Sequence, residues 1–432
     1  MKTTYNWLKD FVDLKLTPQE LAHKLTMAGL EVTSLEERGG DFIYEIEITS
    51  NRPDWLSVMG IAREAAAITG ARLKAPSPQI KSGKLSGGQE SFKIDIENKK
   101  DCSLYTAKII RGVKVGPSEQ WLKERLELIG CRSVNNIVDI TNYILFTYGE
   151  PLHAFDLDKL KGDTIFIRRA GSNEKITAIN GEEYKLNNEI LVIADARGPV
   201  AVAGVMGGKD TEVNESTKNI LLEAAIFDPL VIRHGRRVLG LQSDSSYRFE
   251  RGIDLSVVEP ASWKVVDLAQ SAGAKCVLAK TSTPPKAKKA EVELDVSRAC
   301  KILGASIEIA KIKKILAVLG FGLRPKGKNM IRVSVPSHRP DVNSGIDLVE
   351  EIARIYGFER MPVSAPKVSA TVSTFDKRGA ISLIKNILVG AGLNEAITNS
   401  LIDRDFLKGF DAAQPIAVLN PLSKEQEILR PT

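Results

Sequence analysis

Apolar positions along the chain recur at two spacings, and the changes between them mark out segments. Thr17, Pro18 and Glu20 stand where a capping box places its hydroxyl, first-turn proline and glutamate. Behind them Leu21, Leu25 and Ala28 fall on one helical face. Gly39-Gly40 predicts a turn. Ile46 and Ile48 alternate with Glu45 and Glu47 as in a half-buried strand. Ser50-Asn51-Arg52-Pro53-Asp54 breaks that strand, and a helix is expected from Gly60 to Gly70, closing a first α/β module over residues 1–75. A Pro-, Ser-, Gly- and Lys-rich linker spans 76–92. A large module follows over 93–278, with short β-like runs beginning at Ile165, Ile190 and Val200 and a few helices. After a Pro- and Lys-rich tether at 281–290, residues 291–364 predict a small α/β module. Its helix carries Ile312, Ile315, Leu316 and Leu319, and its strand carries Ile331, Val333 and Val335. A third linker, 365–373, leads to residues 374–432, whose helix with Ile381, Ile384, Ile387 and Leu388 begins a further module. The fold class expected is α+β and multidomain, with a β-rich centre. One internal echo stands out. Ser50-Asn51-Arg52-Pro53-Asp54 recurs as Ser337-His338-Arg339-Pro340-Asp341, each ahead of a helix bearing Ile-Ala-Arg (61–63 and 352–354). A strand–turn–helix is so common that the echo reads as coincidence.

Composition narrows the class. A chain of 432 residues suggests about three modules of roughly 150 residues each. With 43% hydrophobic and 26% charged residues, packed cores rather than wholesale disorder are expected. The formal net charge of +6 suits an RNA partner without requiring one. Cys102, Cys131, Cys276 and Cys300 show no metal-ligand spacing, which argues against zinc and fits a reducing cytosol. No apolar run approaches the ~20 residues of a bilayer span, and charges interrupt the first apolar stretch, so neither a membrane span nor a signal peptide is expected. The expected location is the cytoplasm.

Candidate chemistry is sparse. There is no Gly-x-x-x-x-Gly-Lys phosphate loop and no nucleophile elbow. Of four histidines, His23 reads as surface or cap, and His234, among Arg233, Arg236 and Arg237, as a basic helix end. His153 follows Gly149-Glu150-Pro151-Leu152 and is open to two readings, a loop residue bonded to backbone or a catalytic group. Gly204 and its neighbours Gly207 and Gly208 offer backbone that a ligand can approach closely. Glu223 is the only charge in an apolar run and is either a salt-bridged core residue or a pocket carboxylate. Asp341, Asp347, Glu350 and Glu351 cluster at a helix start. Hard oxygen ligands suit Mg²⁺, but acidic residues also gather there because the helix dipole favours them.

Several segments, in order, resemble bacterial phenylalanyl-tRNA synthetase beta subunits. They are Leu25–Val32, Ile48–Glu64, Val138–Tyr143, Pro151–Asp156, Ala203–Gly208, Arg248–Asp254, Val335–Asp341 and Asp347–Phe358. The resemblance covers nearly the whole chain. It implies that 93–278 is an editing domain that hydrolyses tyrosine wrongly esterified to tRNA(Phe). An alpha subunit, in an alpha2-beta2 tetramer, would use ATP to charge that tRNA with phenylalanine. It further implies that Glu223 and the Gly204 N–H read the tyrosine hydroxyl, that Thr141 and His153 line the pocket near the ester, and that Asp341, Asp347, Glu350 and Glu351 hold Mg²⁺ shared with the alpha subunit.

Four departures qualify the resemblance. The family's RNA-binding oligonucleotide-fold insert is missing from the first module, where only about Glu36–Phe42 stands in its place. Ser245 occupies an editing-pocket position that is usually alanine, and Leu255 a position that is usually proline. The segment from Asn420 to Arg430 resembles only the start of a catalytic-like module. A free-standing editing hydrolase and a non-catalytic scaffold remain as alternative classes.

Overall fold

The structure is a computed structural model and describes residues 1–74, 92–271, 273–282, 290–363, 365, 376–408 and 414–431. The linkers expected at 76–92, 281–290 and 365–373 lie largely outside these. The chain is α+β and falls into two compact units, Met1–Pro362 and Val363–Thr432. Among the described residues no helix is long and apolar enough to cross a membrane.

The capping box forms as expected. Thr17 accepts from the Glu20 N–H, Glu20 reaches back to the Thr17 N–H, and the helix Pro18–Met27 buries Leu21 and Leu25. Val32–Arg38 and Asp41–Ile46 pair as a hairpin whose two-residue loop is Gly39-Gly40. Both glycines have positive φ, +61° and +75°, which a type I′ turn demands and other L-residues resist. The strand ends at Ile46, so Ile48 lies beyond it.

The first and third modules share one topology. In the first, Asp41–Ile46 lies between Lys2–Thr4 and Val32–Arg38; in the third, Met330–Ser334 lies between Glu291–Asp295 and Gly322–Pro325. In each, two helices separate the first strand from the hairpin and a third follows it. The third module has a helix at Val296–Leu303 as well as the one that the apolar spacing predicts, which lies at Ile309–Val318.

The echoed turns are therefore no coincidence. Arg52 donates from Nε and Nη2 to Asp54, two residues on, and from Nη2 to Glu64, twelve on, at 2.9, 2.8 and 2.7 Å. Arg339 does the same to Asp341 and Glu351, at 2.9, 2.7 and 2.7 Å. Ser57 and Ser344 then cap the two helices. The coincidence lies instead in Ile-Ala-Arg, which precedes Glu64 in one copy and follows Glu351 in the other.

The central module stacks two sheets. One runs Lys275–Thr281, Cys102–Arg111, Asn219–Phe227, Leu152–Asp156; the other runs Met206–Gly207, Pro199–Val202, Leu191–Ala194, Thr164–Arg169, Lys93–Ile96. Alternation along Asn219–Phe227 sends Leu221, Ala225 and Phe227 into the core between the sheets. It sends Ile220 and Leu222 to the opposite face, into a core shared with Trp7, Leu8 and Ile61 of the first module. The two modules that the sequence separates at a linker thus pack around one core. Arg248 ties them further, its Nε donating to the Leu56 carbonyl at 3.1 Å.

Candidate active site

Glu223 sits at an odd position of the strand Asn219–Phe227 and so faces the interior between the sheets with Leu221 and Ala225. Its antiparallel neighbour in register is His153. Side chains so paired lie on the same face with Cβ atoms about 4.5–5.5 Å apart, so two residues distant in sequence share one rung of the sheet. They open onto a cavity of about 290 Å³, whose walls also carry Thr141, Gly204 and Ser245. All five residues expected of the pocket meet there.

Each is held by its element. The helix Asn136–Tyr148 starts on Asn135, whose side chain accepts from two backbone N–H groups, and presents Thr141, whose hydroxyl donates to the Val138 carbonyl at 2.7 Å. Gly204 lies in the turn between two strands at φ +65°, and a Cβ there would come within 2.9 Å of Phe249 and 3.1 Å of Phe227. Its N–H makes no hydrogen bond with any described residue. Ser245 is the second residue of the short helix Asp244–Phe249, which Ser243 caps while donating to the Val205 carbonyl at 2.7 Å. The His153 ring stands edge-on to Phe155, with centroids 4.5 Å apart. It also lies against Gly207, where a Cβ would fall 2.5 Å from its Cε1.

The electrostatics of the cavity follow from burial without partners. Glu223 accepts no hydrogen bond from the described residues, and burial pushes its carboxyl up to about 8. Burial likewise lowers His153 to about 4, with Glu212 acting the other way, so the imidazole is neutral at pH 7. Its Nε2 has no hydrogen-bond partner. Sequence reasoning missed three groups. Asn142 and Glu212 also line the cavity, and Asn142's adjacency to Thr141 was the available signal. Glu150, fully buried, has only the Ala225 N–H beside it, outside ordinary hydrogen-bond geometry. Burial pushes it well above the ordinary carboxylate range, with Glu223 adding to the push.

The four acidic residues expected to hold Mg²⁺ do not converge. Among the described residues no group of three or more His, Cys, Asp or Glu is placed to hold a metal ion. Both Asp341 oxygens are taken by Arg339. Glu351 is buried between Arg339 and Arg354. Asp347 accepts at Oδ2 from the Asn343 and Ser344 N–H groups and the Ser344 hydroxyl, at 2.8–2.9 Å, as a helix-capping residue. Glu350, one position before Glu351, points outward into solvent. As a four-carboxylate magnesium set, these residues do not fit. Arg354 instead carries the third module onto the first, donating from Nη1 and Nη2 to Glu64 at 2.6 and 3.0 Å.

Comparison with known proteins places this architecture. Residues 101–273 match the model of the B3/4 domain, 292–358 that of the tRNA synthetase B5 domain, and 361–432 that of the phenylalanyl tRNA synthetase beta chain CLM domain. The modules are those of an aminoacyl-tRNA synthetase chain. Proteins named phenylalanine–tRNA ligase beta subunit are similar along most of it. That of Carboxydothermus hydrogenoformans is 40% identical over 91% of this chain and 50% of its own length. That of Syntrophotalea carbinolica is 33% identical over 100% of this chain and 69% of its own, and that of Rhodopirellula baltica 39% identical over 93% and 59%. The chain belongs to the family of phenylalanine–tRNA ligase beta subunits, and it spans about half to two thirds of the length of these relatives.

Proposed function

We propose that this chain supplies proofreading to a phenylalanine–tRNA ligase, through residues 93–278, by hydrolysing the ester between tyrosine and tRNA(Phe). The observation that carries the reading is the rung shared by Glu223 and His153, a buried acid and a neutral imidazole, both without partners, in a largely apolar cavity. Phenylalanine and tyrosine differ by one hydroxyl, and an apolar pocket rejects an added hydroxyl only weakly, so accuracy needs a second site that rewards it. Glu223 carries its proton at neutral pH and can both donate to and accept from the tyrosine hydroxyl. The free Gly204 N–H is a further donor. Phenylalanine leaves these groups unmatched in a dry site, at about 1–3 kcal/mol, or roughly tenfold to a few hundredfold.

Water is the attacking group on this reading. The Thr141 and Ser243 hydroxyls are committed to backbone carbonyls, and neither they nor the Ser245 hydroxyl is bonded to His153. The water oxygen joins the carbonyl carbon, the ester C–O bond breaks, and the ribose oxygen leaves with a proton. His153, too weak a base at pH 7 to hold that proton, orients the water.

Synthesis belongs to a partner alpha subunit in a cytoplasmic alpha2-beta2 assembly that uses ATP and tRNA(Phe). Of the expected magnesium positions, Asp347 and Glu350 alone lack an arginine partner, so any contribution to a cation at the subunit junction falls to them.

Deacylation of Tyr-tRNA(Phe) and Phe-tRNA(Phe) by the assembled alpha–beta enzyme tests the reading. Glu223→Ala is expected to slow the tyrosyl reaction roughly tenfold to a few hundredfold with much less effect on the phenylalanyl one, and His153→Ala to slow both. Equal loss on both substrates for Glu223→Ala would reduce that residue to a structural role.

A further inference from the structure

A second cavity, of about 250 Å³, lies where three modules meet. Arg63 and the Pro53-Asp54 turn come from the first module, Arg251 to Asp254 from the central one, and Ser337-His338 from the third. Each contributes a segment on which the family resemblance rests, yet the proposed proofreading uses none of them.

The hydrogen-bonding state of the wall is lopsided. The Asp54 carboxylate is neutralised by the Arg52 fork, each oxygen accepting once, at 2.9 and 2.8 Å. Asp254 accepts once at each oxygen from Ser256, at 2.9 and 2.7 Å, and retains free lone pairs. Arg63, half-buried, makes no hydrogen bond or ion pair with any described residue. Burial works against its charge, and Asp54 and Asp254 support it only through space. The Arg251 Nε–H is buried without an acceptor, although its Nη1 is bound to Glu250 and the Tyr247 carbonyl. His338 is held neutral by burial and by Arg63.

The wall therefore offers the five N–H donors of one guanidinium and one more from another, facing one carboxylate, Asp254, that accepts from no charged donor among the described residues. A tetrahedral oxyanion fits the guanidinium fork. Asp254 adds a condition, because an anion carrying its own proton can donate to that carboxylate, whereas a fully deprotonated one meets it as a like charge. Hydrogen phosphate carries such a proton at neutral pH, and a phosphomonoester carries one as its monoanion, which is well populated at and below its second pKa of about 6. Sulfate does not.

We propose that the junction cavity is a phosphate site, taking hydrogen phosphate either free or as the monoester group of a larger ligand. Arg63 is its principal donor, Arg251 Nε–H the second, and Asp254 the acceptor that selects for a protonated oxygen. Because three modules supply the wall, occupancy fixes their junction, and a ligand that binds only the folded chain raises its stability by mass action.

The test uses the full chain at pH 6, where both phosphates carry a proton in good part, and matched ionic strength, following ³¹P line broadening and the thermal unfolding midpoint with inorganic phosphate, glycerol 3-phosphate, sulfate and chloride. Broadening is expected for the phosphates, with a midpoint shift that exceeds those of sulfate and chloride. Tighter binding of glycerol 3-phosphate assigns the site to a larger monoester ligand, and tighter binding of inorganic phosphate assigns it to the free ion. Arg63→Met is expected to weaken binding at least tenfold. Should that variant fail to fold, Asp254→Asn decides, since it should erase the preference for phosphate over sulfate. Absence of broadening, an equal response to all four salts, or unchanged binding in Arg63→Met would overturn the proposal.

Discussion

Two of the places where the chain buries charge-bearing side chains give opposite results. Between the first and third modules, Arg52, Arg339, Arg354, Glu64 and Glu351 are each at most 5% exposed, and every one has an opposite charge in contact. Burial alone would raise the acids, but Arg339 and Arg354 draw Glu351 down to about 2, and Arg354 and Arg52 draw Glu64 well below the ordinary range. In the pocket, Glu223 is buried as deeply and His153 is half-buried, neither with such a partner, and both are pushed toward their neutral forms. Glu223 matches Glu351 in depth, so partnership decides the charge. A paired cluster is complete and has nothing left for a ligand. An unpaired acid and base are a standing demand for one.

The largest effect should come from breaking the pairing. Glu64→Gln leaves Arg52 and Arg354 short of one buried negative charge, a loss of about 3–5 kcal/mol, to be measured by urea unfolding. The corresponding Glu223→Gln should cost nothing at pH 7, and if it destabilises as much as Glu64→Gln the contrast fails.

Stability against pH sharpens the same contrast, because the two regions slope oppositely. Glu223 is raised in the folded chain, so its contribution is fully present below the ordinary value of 4.5 and lost as pH rises through about 8. Glu351 is lowered, so its contribution is present above 4.5 and lost as pH falls through about 2. Glu223→Gln should flatten the limb between about pH 4.5 and 8, stabilising the chain above that range by on the order of 5 kcal/mol at most and by a good part of that already at pH 7, while leaving the acid limb in place. Thermal midpoints from pH 3 to 9 check this.

The smallest effect probes geometry alone. Gly207→Ala sets a methyl 2.5 Å from His153 Cε1 at a position without positive φ, so the ring must move while the backbone need not. Tyr-tRNA(Phe) deacylation should slow about tenfold or more, with the unfolding midpoint nearly unchanged. An unaltered rate would remove His153 from the reaction.

What was legible in the sequence was local. The Thr17–Glu20 cap, the Gly39-Gly40 turn and the period-two run at Ile331–Val333 each act over a few residues and appear where the pattern puts them. His153, Gly204 and Glu223 stand out as candidates by their own surroundings and Thr141 and Ser245 only by the resemblance, but the reason they meet, the register that sets Glu223 opposite His153, joins segments far apart in the chain and leaves no local mark. The acidic cluster shows the limit from the other side. Glu350 and Glu351 are neighbours of identical type, and only the helix phase, which turns one to solvent and the other onto Arg339 and Arg354, tells them apart. The repeat was visible, but its register was hidden by Ile-Ala-Arg, a more conspicuous match that aligns the copies wrongly.

The Gly39-Gly40 hairpin bears on how chains of this family gain and lose parts. It brings Arg38 and Asp41 to adjoining places in the sheet, about 5 Å apart as in any antiparallel pair. A folded unit whose own ends lie side by side can be spliced in there, or cut out, without moving either strand. The hairpin is a seam in the design. Grafting an RNA-binding domain between Gly39 and Gly40 would extend the reach of the chain while its sheet, its cores and its buried charges stay as they are.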